Sequence, residues 1–222
     1  MTESKPARRT GRPPLTDRAT LLTAAREIGL ASLTVGAVTS RVGVKYSTFY
    51  RHFASLEALL TAVVDEIYSE AEFPEQHDRW QDHVVAMADA LSEMLAKHPG
   101  LALTVLRLPA LPERTLEAYR RLTECLVAAG FDADEAVLGA TTILEVVMMP
   151  WLTTSEGGVN AQERESQIGS TAEPLDPAVR AASLGVVDDP PRRWTLRKVE
   201  LLIAGLEARL DRATAAGPTS GS

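Results

Sequence analysis

Between residues 35 and 53 the chain reads as two short helices interrupted at Val42-Gly43-Val44, and no other feature limits its fold so strongly. Val35, Val38 and Val42 recur at helical spacing after Thr34, a residue suited to cap a helix start. Gly43 can take the left-handed backbone that ends a helix, and Val44 then turns an apolar side chain into the corner. A second short helix follows from about Lys45 to Phe53, with Phe49 and Phe53 on its inner face. Upstream, Leu21, Leu22, Ala25 and Ile28 mark another helix, capped by Thr16 and stopped by Gly29. Short helix, glycine, apolar plug, short helix is the pattern of a helix-turn-helix.

The outer surface of the third helix carries the functional signal. With both phenylalanines turned inward, Lys45, Tyr46, Ser47, Thr48, Tyr50, Arg51 and His52 share the solvent side. A face shaped only by solubility favours Glu and Lys. This one suits phosphate contacts from Tyr, Ser and Thr and base-edge contacts from Arg. The charge distribution agrees. Residues 1–56 hold nine basic and three acidic side chains, a local charge of +6, while the whole chain carries −7 and the remainder therefore −13. A basic first quarter on an acidic body suggests a polyanion-binding head. Lys5 to Arg12 is a basic stretch punctuated by Pro and Gly, so it forms no stable helix. It reads either as a solvated tail or as an arm that sets Arg8, Arg9 and Arg12 on phosphates or in a minor groove.

The stretch from Leu33 to Val63, LTVGAVTSRVGVKYSTFYRHFASLEALLTAV, resembles the helix-turn-helix signature of the TetR family of bacterial repressors. The carrying elements are the Leu-Thr opening, the Val-Gly-Val turn, T-F-Y-x-H-F, and the E-A-L-L that begins the next helix. The remainder is similar, more weakly, to the tetracycline-repressor branch. It has a W-x-x-x-V helix, HPGLAL, a helix ending in AAGF, a long apolar helix, a polar loop and a final amphipathic helix. The resemblance implies an all-α homodimer whose ligand alters the separation of two reading heads. It also implies DNA contacts from Thr48, Tyr50 and His52, with Tyr46, Ser47 and Arg51 at contacting positions that hold other residue types there. Thr34 and Lys45 join them as DNA-binding candidates of this sequence. Three departures stand out. Leu56 occupies a place where many relatives have a phosphate-binding cation, and Gly36 one that holds a base-reading arginine in the tetracycline repressor. Leu103-Thr104 replaces its metal-binding histidine segment, which argues against a metal-chelated ligand.

Beyond the head, Ser55 caps a fourth helix with Leu59, Leu60, Val63, Val64 and Ile67 along one stripe. A fifth is expected over 78–97 and a short apolar sixth over 101–108. Pro112 suits the first position of a seventh, which Gly130 stops. Asp132 and Glu135 form a capping-box pattern for an eighth that is apolar nearly all round. Residues 153–193 read as a long polar loop with one short helix after Asp176-Pro177, followed by an amphipathic last helix over 195–213. The eighth and last helices bury their faces either within one chain or against their symmetry mates in a four-helix bundle. Trp80, Met87, Met94, Leu101, Thr104, Leu108, Tyr119, Thr123, Met148 and Trp151 mix Met, aromatic and hydroxyl groups in the manner of an adaptable pocket. Each of them, taken singly, reads first as core filling.

No metal-ligand spacing involves His52, His77, His83 or His98, and no GxSxG, P-loop or GxGxxG motif occurs. The lone Cys125 excludes an internal disulfide and fits a reducing compartment. The apolar stretch over 136–152 includes Thr141, Thr142, Glu145 and Pro150, unlike a membrane span. The expectation is an all-α, non-enzymatic, cytoplasmic regulator without metal, cofactor or membrane partner. Its parts are a flexible arm (1–15), a three-helix DNA-binding head (16–56), a ligand-binding and dimerisation domain (57–215) and a flexible tail (216–222). Its partners are double-stranded operator DNA, a small-molecule effector and a second copy of itself. Ligand-released repression is one reading. A ligand-independent regulator or activator is another, and a protein adaptor with a basic head is a third.

Overall fold

A computed structural model describes residues 16–154, 166, 176–188 and 191–216, and the regular elements among these residues are all helical. The head consists of α1 (Arg18–Ile28), a 3-10 turn (Leu30–Ser32), α2 (Val35–Val42) and α3 (Tyr46–His52). The cap of α1 is Asp17 rather than Thr16. Its carboxylate accepts from the Thr20 N–H at 2.8 Å and the Thr20 hydroxyl at 2.7 Å, and these bonds hold its pKa below the usual carboxylate range. A charged acceptor also suits the positive end of the helix better than a hydroxyl does.

The turn between α2 and α3 forms as expected. Gly43 sits at φ 74° and ψ 34°, its N–H donates to Ser40 at 3.3 Å, and the Val44 N–H donates to Thr39 at 2.9 Å. This paired bonding satisfies carbonyls that the end of α2 would otherwise leave open. Leu21, Val38 and Phe49 are fully buried within the head. Phe53 lies 5.8 Å from Phe49, ring to ring, and the Arg18 guanidinium covers it at 4.8 Å.

The body comprises α4 (Leu56–Glu70), α5 (Trp80–Lys97), α6 (Leu101–Arg107), α7 (Thr115–Ala128), α8 (Ala133–Thr154), α9 (Pro177–Asp188) and α10 (Pro191–Ala216). Ser55 caps α4 by accepting from the Ala58 N–H at 3.1 Å. Helices α5, α7, α8 and α10 pack on one another, while α4 touches α1 of the head and α6 and α7 of the body. Helix α6 lies against α8, α4 and the 3-10 turn, so head and body meet through α4 and α6.

Several expected boundaries shift, each for a local reason. Pro112 precedes α7 by one turn instead of starting it. Its carbonyl accepts from Thr115, and Glu113 and Arg114 repeat the same short-range pattern to Leu116 and Glu117. Asp132 does cap α8, accepting from the Glu135 N–H at 2.8 Å, but the reciprocal half of the capping box is not made. The Glu135 carboxylate turns instead to Arg209 on α10, where a full charge is the stronger partner. The short helix after Asp176 is present as α9, whereas α10 begins at Pro191, ahead of the expected residue 195. Proline's fixed φ and missing N–H cost nothing in a first helical turn. The polar loop is therefore shorter at its C-terminal end than expected, and most of 153–193 lies outside the described residues. So do the 1–15 arm with Arg8, Arg9 and Arg12, and residues 217–222.

Helix α8 has the length and apolar character to cross a membrane, yet Ala136, Ala140, Ile143 and Val147 are fully buried along one side of it. Cys125 is 3% exposed on α7, and burial pushes its thiol pKa up, as for a small apolar filler. Truncating Phe49 to Ala is expected to cost about 3–5 kcal/mol in denaturant unfolding, the range for a large aromatic lost from a core. A loss below about 1 kcal/mol would contradict the packing described here.

Candidate nucleic-acid interface and ligand site

Helix α3 is held by its buried side and offers the other. Phe49 is 0% and Phe53 3% exposed, while Tyr46 and Tyr50 are 56% and 53% exposed. Lys45, Ser47 and Arg51 are exposed as well, and Thr48 and His52 are half-buried. Tyr50 meets Phe49 edge-on at 5.3 Å, which steadies its ring at the base while the hydroxyl end stays in solvent. The Arg51 guanidinium donates to the Thr48 hydroxyl at 3.2 Å. The seven expected residues of α3 and its N-cap are thus all exposed or half-exposed.

Thr34 adjoins this surface but has a structural duty. Its hydroxyl oxygen accepts from the Ala37 N–H at 3.0 Å and caps α2, leaving the hydroxyl proton to donate outward. The head's cations divide into two groups. Arg26 binds both carboxylate oxygens of Glu70, approaches Glu66 at 3.5 Å, and holds the Glu70 carboxyl below its ordinary range. Arg41 pairs with Glu27 at 2.6 Å. Lys45 and Arg51 make no ion pair among the described residues, so their charge is available for an anion brought to α3.

The ten expected ligand-lining residues do not gather around one cavity. Met87 and Leu101 are fully buried, Met94 is 7% exposed, and Trp80, Thr104, Leu108, Tyr119, Thr123, Met148 and Trp151 are half-buried. Trp80 packs edge-on against Phe131 at 5.4 Å, and the Thr123 hydroxyl donates back to the Tyr119 carbonyl at 2.9 Å. A cleft of about 460 Å3 lies between the end of α4 and the second half of α5. Its lining includes Ile67, Glu70, Phe73, Glu93, Met94 and Lys97, so only Met94 belongs to the expected set. Beside Trp151 is a cavity of about 10 Å3, room for no more than one water. The Trp151 Nε1 and Thr115 Oγ1 are buried without hydrogen-bond partners among the described residues.

Sequence reasoning missed the Arg26–Glu70 tie and the α4–α5 cleft. Both bring together residues from separate helices, and no spacing along the chain marks them. The dual duty of Thr34 gives a direct test. Thr34→Ala is expected to cost about 1 kcal/mol of stability with the cap. Thr34→Asp keeps an acceptor there, so melting should hold while binding to duplex DNA weakens through charge repulsion. Equal DNA binding by Thr34→Asp and the unaltered protein would remove Thr34 from the interface.

Comparison with known proteins follows the same division. Residues 21–63 match the family model of bacterial regulatory proteins of the tetR family, and residues 73–210 match the tetracyclin repressor-like C-terminal domain. The class A tetracycline repressor protein from transposon 1721 of Escherichia coli is 28% identical over 190 residues, covering 82% of this chain and 85% of the relative. The Streptomyces coelicolor TetR family protein ActR in complex with (S)-DNPA superposes with TM-score 0.72 at 22% identity, covering 88% and 98% of the two chains. The same protein in complex with actinorhodin gives TM-score 0.70 at 23% identity, covering 89% and 99%. The helix-turn-helix head, the capped linker helix and the C-terminal helical body, together with the extent of these matches, make this chain a member of the TetR family of bacterial transcriptional regulators.

Proposed function

We propose that the chain is a ligand-responsive repressor that binds palindromic operator DNA as a homodimer and is released by a small hydrophobic or aromatic molecule. The exposed face of α3 carries this reading. Lys45, Tyr46, Ser47, Tyr50 and Arg51 are exposed, and Thr48 and His52 half-exposed, opposite the buried Phe49 and Phe53. Arginine supplies base-edge contacts and the hydroxyl groups fix register on phosphates. Arg8, Arg9 and Arg12 would extend the contact into a neighbouring groove.

Pairing of two chains is supported by apolar surface that one chain leaves open. Val137 and Leu138 on α8 are 41% and 50% exposed, and Leu201 on α10 is 74% exposed. A groove of about 350 Å3 between these helices is lined by Leu138, Leu201, Leu202 and Leu206 among others, with Glu135, Arg209 and Arg212 also in its lining. Apolar faces of this kind are covered when two helices meet their mates in a four-helix bundle.

Effector binding is supported by two features of the body. The buried, unpartnered Thr115 hydroxyl and Trp151 indole N–H are polar groups that a ligand could satisfy, each costing about 1–3 kcal/mol while unmet. The half-buried Met148, Tyr119 and Thr123 can repack around a guest. Helix α6 touches α8, α4 and the head's 3-10 turn, which gives a ligand a mechanical route to the reading heads. ActR, of the same fold, binds actinorhodin and (S)-DNPA. Leu103-Thr104 offers no imidazole for a chelated metal, so the effector need not carry one.

Selection of binding sites from random duplex DNA tests the reading. It is expected to enrich a palindrome whose half-sites lie about one helical turn apart, or a multiple of it. Tyr50→Ala and Arg51→Ala should each weaken that site about ten-fold or more with unchanged melting. Retention that depends on salt and shows no enriched sequence would overturn it.

A further inference from the structure

Gly36 lies in the first turn of α2, and its backbone does not call for glycine. It is not among the residues with positive φ, and alanine suits a helix better. The reason lies in the space beside it. A Cβ added to Gly36 would come within 2.8 Å of the Tyr46 hydroxyl oxygen, with Thr34 Oγ1 next at 3.9 Å. The first distance is closer than real Cβ contacts come, so Tyr46 occupies the volume that a side chain at position 36 would need.

Little else constrains Tyr46. It is 56% exposed at the first position of α3, and its hydroxyl makes no hydrogen bond among the described residues. Its ring therefore crosses from α3 to the bare backbone of α2 and ends near Thr34. A phenol in that position can donate one hydrogen bond and accept another. The position bridges the two helices of the helix-turn-helix motif, so the group it presents depends on both.

We infer that Gly36 and Tyr46 form one specificity element of the DNA-reading surface. Glycine is the seat that lets the Tyr46 hydroxyl lie over α2, from where it hydrogen-bonds a base edge in each operator half-site. This rests on the DNA-reading role of α3 proposed above. A side chain at position 36 displaces Tyr46 and redirects its hydroxyl. Because Tyr46 is an exposed side chain with room to rotate, the displacement costs the fold little and alters what is read.

The experiment compares the unaltered protein with Gly36→Ala, Tyr46→Ala, Tyr46→Phe and the double variant Gly36→Ala/Tyr46→Ala, by thermal melting and by site selection from random duplex DNA. Gly36→Ala is expected to melt at or above the unaltered protein. Gly36→Ala, Tyr46→Ala and Tyr46→Phe should each change the preferred base at the same half-site position and weaken the original site about ten-fold. The double variant should bind no more weakly than Tyr46→Ala, because both changes remove one contact. The inference is overturned if Gly36→Ala selects the original site at full affinity, if the two losses multiply in the double variant, or if they alter different positions. Full affinity in Tyr46→Phe would overturn the role of the hydroxyl. Failure of the unaltered protein to select any sequence would overturn the DNA-reading role of α3, and this inference with it.

Discussion

The burial of Phe49 is the contact on which the reading surface depends. Helix α3 is only seven residues long, too short to persist in water on hydrogen bonds alone. Phe49, fully enclosed by the head and stacked near Phe53, fixes both the position and the rotation of α3. With that rotation set, Tyr50 and Arg51 are left exposed, and Tyr46 reaches across to α2. The same residue that stabilises the head therefore decides which side chains would meet DNA in the proposed function.

The charges of the head follow from this geometry. Arg26 and Arg41 hold helices together through Glu70 and Glu27, whereas Lys45 and Arg51 make no ion pair among the described residues. The +6 of the first 56 residues is thus partly structural, since Arg26 and Arg41 are engaged within the head. Arg26 also ties α1 to the last turn of α4, the helix that enters the body. A tilt of α4 would carry the head with it as a rigid piece. Both partners are partly exposed, so the pair itself adds little stability, and its effect is to orient.

Features encoded by local spacing were legible in the sequence. Gly43 and Val44 marked the turn, Phe49 and Phe53 the inner face, and Ser55 the cap of α4, because each acts within one turn of its own helix. Caps were less sharply legible where neighbours compete. Asp17 displaces Thr16 by virtue of its charge, and Glu135 leaves its capping box for Arg209 on a distant helix. Contacts across the fold were not legible, as with Arg26 to Glu70 and Tyr46 over Gly36. The sequence marked Gly36 as a departure, but only the structure reveals the ring that fills its space. The ten expected pocket residues were chosen by chemical type; among them Trp80 packs on Phe131 and Met94 lines the α4–α5 cleft.

The body repeats the logic of the head on a larger scale. Ala136, Ala140, Ile143 and Val147 close the inner side of α8, while Val137 and Leu138 remain open beside Leu201 of α10. An apolar face left open in this way calls for cover, and in the proposed dimer a second copy would supply it with twofold symmetry. Two heads on a symmetric pair would read two inverted half-sites, which joins the surface of α3 to the surface of α8 and α10. Counting chains on DNA tests that link most directly. Native mass measurement of the complex on a selected palindrome should find two chains per duplex, with binding largely lost when one half-site is scrambled. One chain bound per duplex, held equally well by the scrambled site, would contradict the account.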